Sequence, residues 1–201
     1  MNRLFNIGLP KTGTSSLQKA FEILKIKSLH NPLEFRAQAF FGIFDFQSND
    51  QWQAITNFGE HFYPQLDNVY PNSKFILTVR NEEKWLNSWE RQISRSPGWE
   101  PIKICKNHII EKTQNSDKNA FEISNALVRI SIFGSCIFNK EQLIYIFRLH
   151  KKNVCEYFKD RPQDLLIMDI DNGDGWENLC GFLNMRIPEG IKFPHQMPNI
   201  S

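Results

Sequence analysis

Hydrophobic positions along this chain follow two alternating rhythms. Short continuous apolar runs, Arg3–Gly8 and above all Lys74–Val79, have the length and density of strands buried on both faces. Between such runs the apolar residues recur every three or four positions. Leu17, Phe21 and Leu24 do so within Ser15–Leu24, which predicts an amphipathic helix after the loop Pro10–Ser16. A short second strand is predicted over Ile26–Leu29, a turn at His30-Asn31-Pro32 and a helix over Leu33–Phe40. Phe41–Thr56 is rich in aromatic residues but has no clean period. A helix is predicted over Gly59–Tyr70, closed by the turn signal Tyr70-Pro71-Asn72. Further helices are predicted over Glu82–Ser94, Ala120–Phe133, Lys140–Phe158 and Trp176–Leu183, and a last strand over Leu165–Met168. The polar stretch Trp99–Ser116 follows the breaker Ser96-Pro97-Gly98 and reads as a mobile insertion, and the tail beyond Pro188 reads as irregular. Strands alternating with helices predict βαβ units in one α/β domain, residues 1–201, around a central parallel sheet.

Composition narrows the functions this domain can have. Of 201 residues, 41% are hydrophobic and 23% charged, an ordinary globular balance. A formal net charge of +2 argues against nucleic acid as a partner and leaves room only for a local basic patch around an anionic ligand. Cys105, Cys136, Cys155 and Cys180 form no CxxC pair and have no His at ligand spacing, so reduced thiols and no metal site are expected. The first apolar run, Leu4–Leu9, is interrupted by Asn6, and no stretch approaches the ~20 apolar residues of a spanning helix. The sequence thus predicts a cytoplasmic protein without a membrane anchor.

The chemistry concentrates where the first strand meets the first helix. Gly8-Leu9-Pro10-Lys11-Thr12-Gly13-Thr14-Ser15-Ser16 joins a buried strand to a helix with a hydroxyl-rich first turn. Glycines let the backbone approach an anion, helix-start N–H groups donate to it, and the helix dipole favours negative charge there. Lys11 adds a cation, and Thr14, Ser15 and Ser16 either cap the helix or donate to phosphate oxygens. In the ATP-binding pattern GxxxxGK[ST], Lys follows the second Gly and Ser/Thr holds Mg²⁺. Here Gly8 and Gly13 keep that spacing, Thr14 stands where Lys belongs, and the Lys has moved to position 11. The Lys74–Val79 strand ends in Arg80 instead of a metal-binding Asp. The site looks built for a phosphorylated donor that needs no metal.

Pro10-Lys11-Thr12-Gly13-Thr14-Ser15-Ser16 closely resembles the donor loop of the sulfotransferase superfamily. A second motif of that family places an Arg at the end of the central strand and a Ser eight residues on, matched here by Arg80 and Ser88. Tyr63-Pro64-Gln65-Leu66-Asp67, Gly173-Asp174-Gly175-Trp176 and Phe193-Pro194-His195 are similar to a P-loop-like branch of the superfamily, so the likeness runs over most of the chain. It implies a three-layer α/β/α P-loop NTPase-like fold and 3′-phosphoadenosine 5′-phosphosulfate (PAPS) as co-substrate. Pro10 through Ser16 would bind the 5′-phosphosulfate, with Lys11 also steadying charge on the leaving oxygen, and Arg80 and Ser88 would bind the 3′-phosphate. The implied reaction transfers a sulfuryl group to a hydroxyl or amine of a small molecule or glycan.

The base is the open question at this level. The resemblance implies an Asp ahead of the Phe62-Tyr63-Pro64 segment, where Asn57 stands, and Asn cannot take a proton. Asp45, Asp50, Glu60 and His61 are nearby candidates, each read first as a solvated or capping residue, and Asn57 and His61 are carried as the catalytic candidates beside Lys11. Phe35–Phe46, and Trp85 with Trp89, read as core first and as acceptor or adenine contacts second. Three readings stand: an active PAPS-dependent sulfotransferase, an idle relative that binds the product nucleotide PAP, and a small P-loop kinase.

Overall fold

The computed structural model describes residues 3–46, 51–94, 129–135 and 138–195. The predicted insertion Trp99–Ser116, most of the helix predicted over Ala120–Phe133, and the candidate Asp50 lie outside these residues; residues 129–133 are helical. The strands are β1 Leu4–Asn6, β2 Ser28–His30, β3 Ala54–Thr56, β4 Lys74–Thr78 and β5 Leu165–Met168. They form one sheet in the order β2-β3-β1-β4-β5, and every neighbouring pair is parallel. The helices are α1 Thr14–Ile23, α2 Leu33–Phe40, α3 Tyr63–Val69, α4 Glu82–Ser94, α5 Lys140–Tyr157 and α6 Trp176–Leu183.

The chain gathers into two compact units, Met1–Asn81 with His150–Ser201, and Glu82–Leu149. The first holds the sheet and buries apolar side chains on both its faces, as alternation along a strand requires. Phe5, Ile7, Ile55, Phe75 and Leu77 pack under Phe35 and Ala39 of α2, Leu66 of α3 and Val154 of α5. On the opposite face Leu4, Ala54, Ile76 and Met168 pack against Leu17, Ala20 and Phe21 of α1 and Trp176, Leu179 and Cys180 of α6. That is the predicted three-layer α/β/α arrangement. Phe35 stacks on Phe46 at 4.6 Å and both are buried, so these two rings belong to the core, whereas Phe41 is 85% exposed. In the second unit Trp85 and Trp89 pack with Phe133, and Trp85 also with Phe147. Among the described residues no helix is long and apolar enough to cross a membrane.

Two stretches differ from the sequence expectation. The helix predicted from Gly59 begins only at Tyr63. Pro64 lacks an N–H and is tolerated without loss only in a first turn, which sets the start of α3 there. Within Phe41–Thr56 the structure has a strand, β3, too short at three residues to show an alternation.

β1 leads into its loop through Gly8, which lies hard against β4. A Cβ at Gly8 would come to 2.0 Å from Thr78 Oγ1, 2.5 Å from the Thr78 carbonyl oxygen and 2.8 Å from its nitrogen. Two of these obstacles are backbone, so the strand pair itself would have to part. Gly8→Ala is expected to destabilise the fold by about 3 kcal/mol or more, at the upper end of overpacking costs. Urea unfolding followed by circular dichroism measures it.

Candidate functional site

From β1 the chain crosses to the edge strand β2, returns through β3, and then passes over β1 to β4 and β5 on the other side. The carboxyl end of β1 is therefore the point where the winding reverses, the usual ligand crevice of an open parallel sheet. The loop of Pro10–Gly13 sits there. Lys11 has a left-handed φ of 72° and Gly13 one of 101°, and α1 starts immediately after Gly13. For Lys11 that conformation is uncommon and carries a conformational cost. Arg80 supports it by donating from Nη1 to the Lys11 carbonyl oxygen at 3.1 Å.

A buried polar chain braces the loop from beneath. Asn6 Nδ2 donates to Thr78 Oγ1 at 3.1 Å and to the Ile76 carbonyl. Thr12 Oγ1 donates to the Leu9 carbonyl at 2.6 Å, so in its 2.7 Å contact with Thr78 Oγ1 the Thr78 hydroxyl is the donor. Thr12 is thus turned inward, and what it can offer an anion is its backbone, not its hydroxyl. Thr14 and Ser16 are buried at the start of α1 and Ser15 is exposed. The first N–H groups of that helix have no acceptor within it, by helix geometry, and point out of its start.

Arg80 meets this loop from the end of β4. Its Nη2 pairs with Asp171 Oδ2 at 2.7 Å, and Asp171 Oδ1 lies 3.3 Å from His195 Nε2. Glu82, two residues beyond Arg80, pairs with Arg148 within the second unit. Arg80 Nε is shielded from solvent and has no hydrogen-bond partner among the described residues. Asp171 follows β5 in a short 3₁₀ turn at Ile170–Asn172, and Gly173 closes that turn with a left-handed φ. Asp174 then accepts from the Asp169 N–H at 2.7 Å, and Asn178 accepts from the Gly175 N–H, which starts α6. The tail is held by Trp176, whose indole donates to the Ile191 carbonyl and whose ring meets Phe193 edge-on. Ser88 is buried on α4, in the second unit.

A second polar group lies past the end of β3. A Cβ on Gly59 would meet Ile7 Cγ2 at 3.1 Å and the Asn6 carbonyl oxygen at 3.5 Å, so the chain leaving β3 lies against the end of β1. Asn57 has a left-handed φ of 56°, and its N–H points to Asn6 Oδ1 at 3.4 Å. Arg36 of α2 is buried and donates from Nη2 to the Asn57 carbonyl at 2.5 Å. Glu60 is not the solvated residue the sequence suggested: it is 0% exposed, and burial raises its carboxyl above the ordinary carboxylate range while Arg36 pulls the other way. His61 is held down to about 4, by burial first and Arg36 second, so its ring is neutral at physiological pH. His150 Nε2 must donate to the Ile7 carbonyl at 2.7 Å, because a carbonyl only accepts. Burial holds His150 below the usual imidazole value. Its Nδ1 is then unprotonated at neutral pH. His30 touches Thr56 Oγ1 through Nδ1 at 2.7 Å, and Thr56 in turn donates to Gln18 of α1.

The profile of the sulfotransferase domain family matches residues 3–198. The chain belongs to the sulfotransferase domain family. It is also similar to the Ava biosynthesis cluster protein M of Aspergillus versicolor, 25% identical over 211 residues that cover 94% of this chain and 78% of that protein. Within this sulfotransferase domain the structure brings Pro10 to Ser16 and Arg80 to one sheet end, with Asn57 beside β1 and His61 in the turn that follows Asn57. Arg36, Glu60, His150 and Asp171 were missed as site residues or passed over. Their signal was weak: each partner lies far off in sequence, and nothing local marks a charged residue as buried.

The polar brace yields a prediction. Thr78→Val keeps the shape but strips a donor from Thr12 and an acceptor from Asn6, leaving buried polar groups unmatched. A loss of about 1–3 kcal/mol in denaturant unfolding is expected, whereas the exposed Ser15→Ala should shift it by less than about 0.5 kcal/mol.

Proposed function

We propose that this sulfotransferase domain uses PAPS as its donor and passes the sulfuryl group to a hydroxyl or amine of a small molecule or glycan in the cytoplasm. The observation that carries the reading is the join of two anion-binding devices, the α1 start at Gly13 and the Arg80 guanidinium, through one 3.1 Å hydrogen bond to Lys11. A nucleotide phosphorylated at both 5′ and 3′ positions carries two anionic groups for two such devices. Arg80 suits it further because Nε still lacks a partner and guanidinium donors match phosphate oxygens in pairs.

In this reading the backbone N–H groups of Gly13 through Ser16 hold the 5′-phosphosulfate, with Pro10 and Thr12 shaping the loop. The Lys11 ammonium is assigned to steady the charge that grows on the oxygen that leaves. Ser88 is assigned with Arg80 on motif spacing alone. The two compact units are taken as one catalytic domain because the family profile runs through both. Free thiols at Cys155 and Cys180 suit a reducing compartment. An idle, nucleotide-binding protein is the second reading, favoured by Asn57 where a carboxylate base was expected.

Titration calorimetry with PAP in EDTA tests the donor assignment. Binding is expected without Mg²⁺. Lys11→Ala and Arg80→Ala should each weaken it about 10- to 100-fold, the range of a charged hydrogen bond. No affinity for PAP, or tighter Mg²⁺-dependent binding of ATP, would end this reading and revive the kinase.

A further inference from the structure

Glu60 presents a combination the fold does not explain. It is wholly buried, and neither carboxylate oxygen has a hydrogen-bond partner among the described residues. Its own main-chain N–H lies close enough to favour ionisation without reaching hydrogen-bond geometry. Burying a carboxylate unpaired is expensive, and structural reasons do not require it. Beside it Arg36 Nε and Asn57 Oδ1 are also shielded and unpartnered. The buried Arg36 and Glu60 and the partly buried Asn57 thus leave one shielded donor and three shielded acceptor atoms unsatisfied at the end of β3, one strand over from the phosphate loop. Such a constellation suits a group that brings its own hydrogen-bonding atoms.

We propose that Glu60 takes the proton of the acceptor, in the subsite where Arg36 and Asn57 hold the acceptor's hydroxyl or amino group. This rests on the donor assignment above. As the acceptor oxygen or nitrogen bonds to sulfur, its proton passes to a Glu60 oxygen. The bond from sulfur to the bridging phosphate oxygen breaks, and PAP leaves with that electron pair. Asn57 then holds the acceptor and is not a failed base, and the carboxylate has moved three residues along the same turn.

The surroundings set the base strength. Burial raises the Glu60 carboxyl, and Arg36 from α2, His150 from α5 and His30 from β2 oppose it. His61, next in the chain, is neutral near pH 7. A carboxylate lifted from its ordinary value is a better proton acceptor near neutrality. The acid limb of the pH profile follows: rate rises with pH as Glu60 ionises.

The acceptor being unidentified, water serves as the probe: release of labelled sulfate from PAPS is followed against pH, with PAP affinity measured in parallel. Glu60→Gln should bind PAP as the wild type does, hydrolyse PAPS about 100-fold more slowly, within the usual range for a general base, and lose the acid limb. Glu60→Asp should retain part of the rate and the limb. A carbon-13 signal of the Glu60 carboxyl, assigned by its loss in Glu60→Gln, should titrate above the range of exposed carboxylates. Unchanged hydrolysis and pH profile in Glu60→Gln, ordinary titration of the carboxyl, or PAP binding with no hydrolysis by the wild type would each overturn the proposal. Lack of PAP binding by the wild type would instead overturn the donor assignment.

Discussion

The missing side chain at Gly8 is the constraint on which the rest of this structure depends. It lets the end of β1 lie against Thr78, closer than any Cβ would allow. That approach brings Asn6, Thr78 and Thr12 within hydrogen-bond distance of one another. Thr12 is pinned inward as a result, and the loop must carry its turn in Lys11 and Gly13, both with positive φ. The direction in which α1 starts, and so the direction in which its first N–H groups point, follows from that turn. Ordering the loop in advance spares a ligand much of the cost of ordering it on binding.

The two halves of the candidate site are built by different means. The loop at β1 relies on backbone, helix start and a hydroxyl-amide chain, all effectively neutral, with Lys11 and Arg80 added at its rim. The group past β3 relies on buried charge, with Arg36, Glu60 and the nearby imidazoles setting one another's ionisation. A neutral scaffold keeps its shape across a wide pH range. A cluster of coupled charges does not.

Much of the fold was legible because it is local. The Lys74–Val79 run, the Leu17-Phe21-Leu24 spacing and the turn at Tyr70-Pro71-Asn72 each declare themselves within a few residues. β3 was illegible because three residues cannot show a period, and α3 was drawn too long because Gly59 and Glu60 belong to a buried turn that has no local signature. The loop residues around Lys11 and Gly13 were readable for the same reason as the strands: one contiguous stretch carries them. Glu60 and Arg36 were not, since they are 24 positions apart and their burial is decided by β1, β2 and α5 together. Asp171 was hidden likewise, 91 residues from the Arg80 it pairs with.

That Asp171 contact changes what the free site presents to solution. A bare guanidinium at a sheet end would collect whatever small anions the cell supplies. Here an internal carboxylate already occupies it, on a turn fastened between β5 and α6. Any incoming anion must displace or share that carboxylate, so a single weak charge gains little. A ligand that also engages the start of α1 offsets the exchange with contacts elsewhere. Under the proposed donor assignment, selectivity for an anion with two separated charged groups would come from a resident competitor, not from the size of the opening.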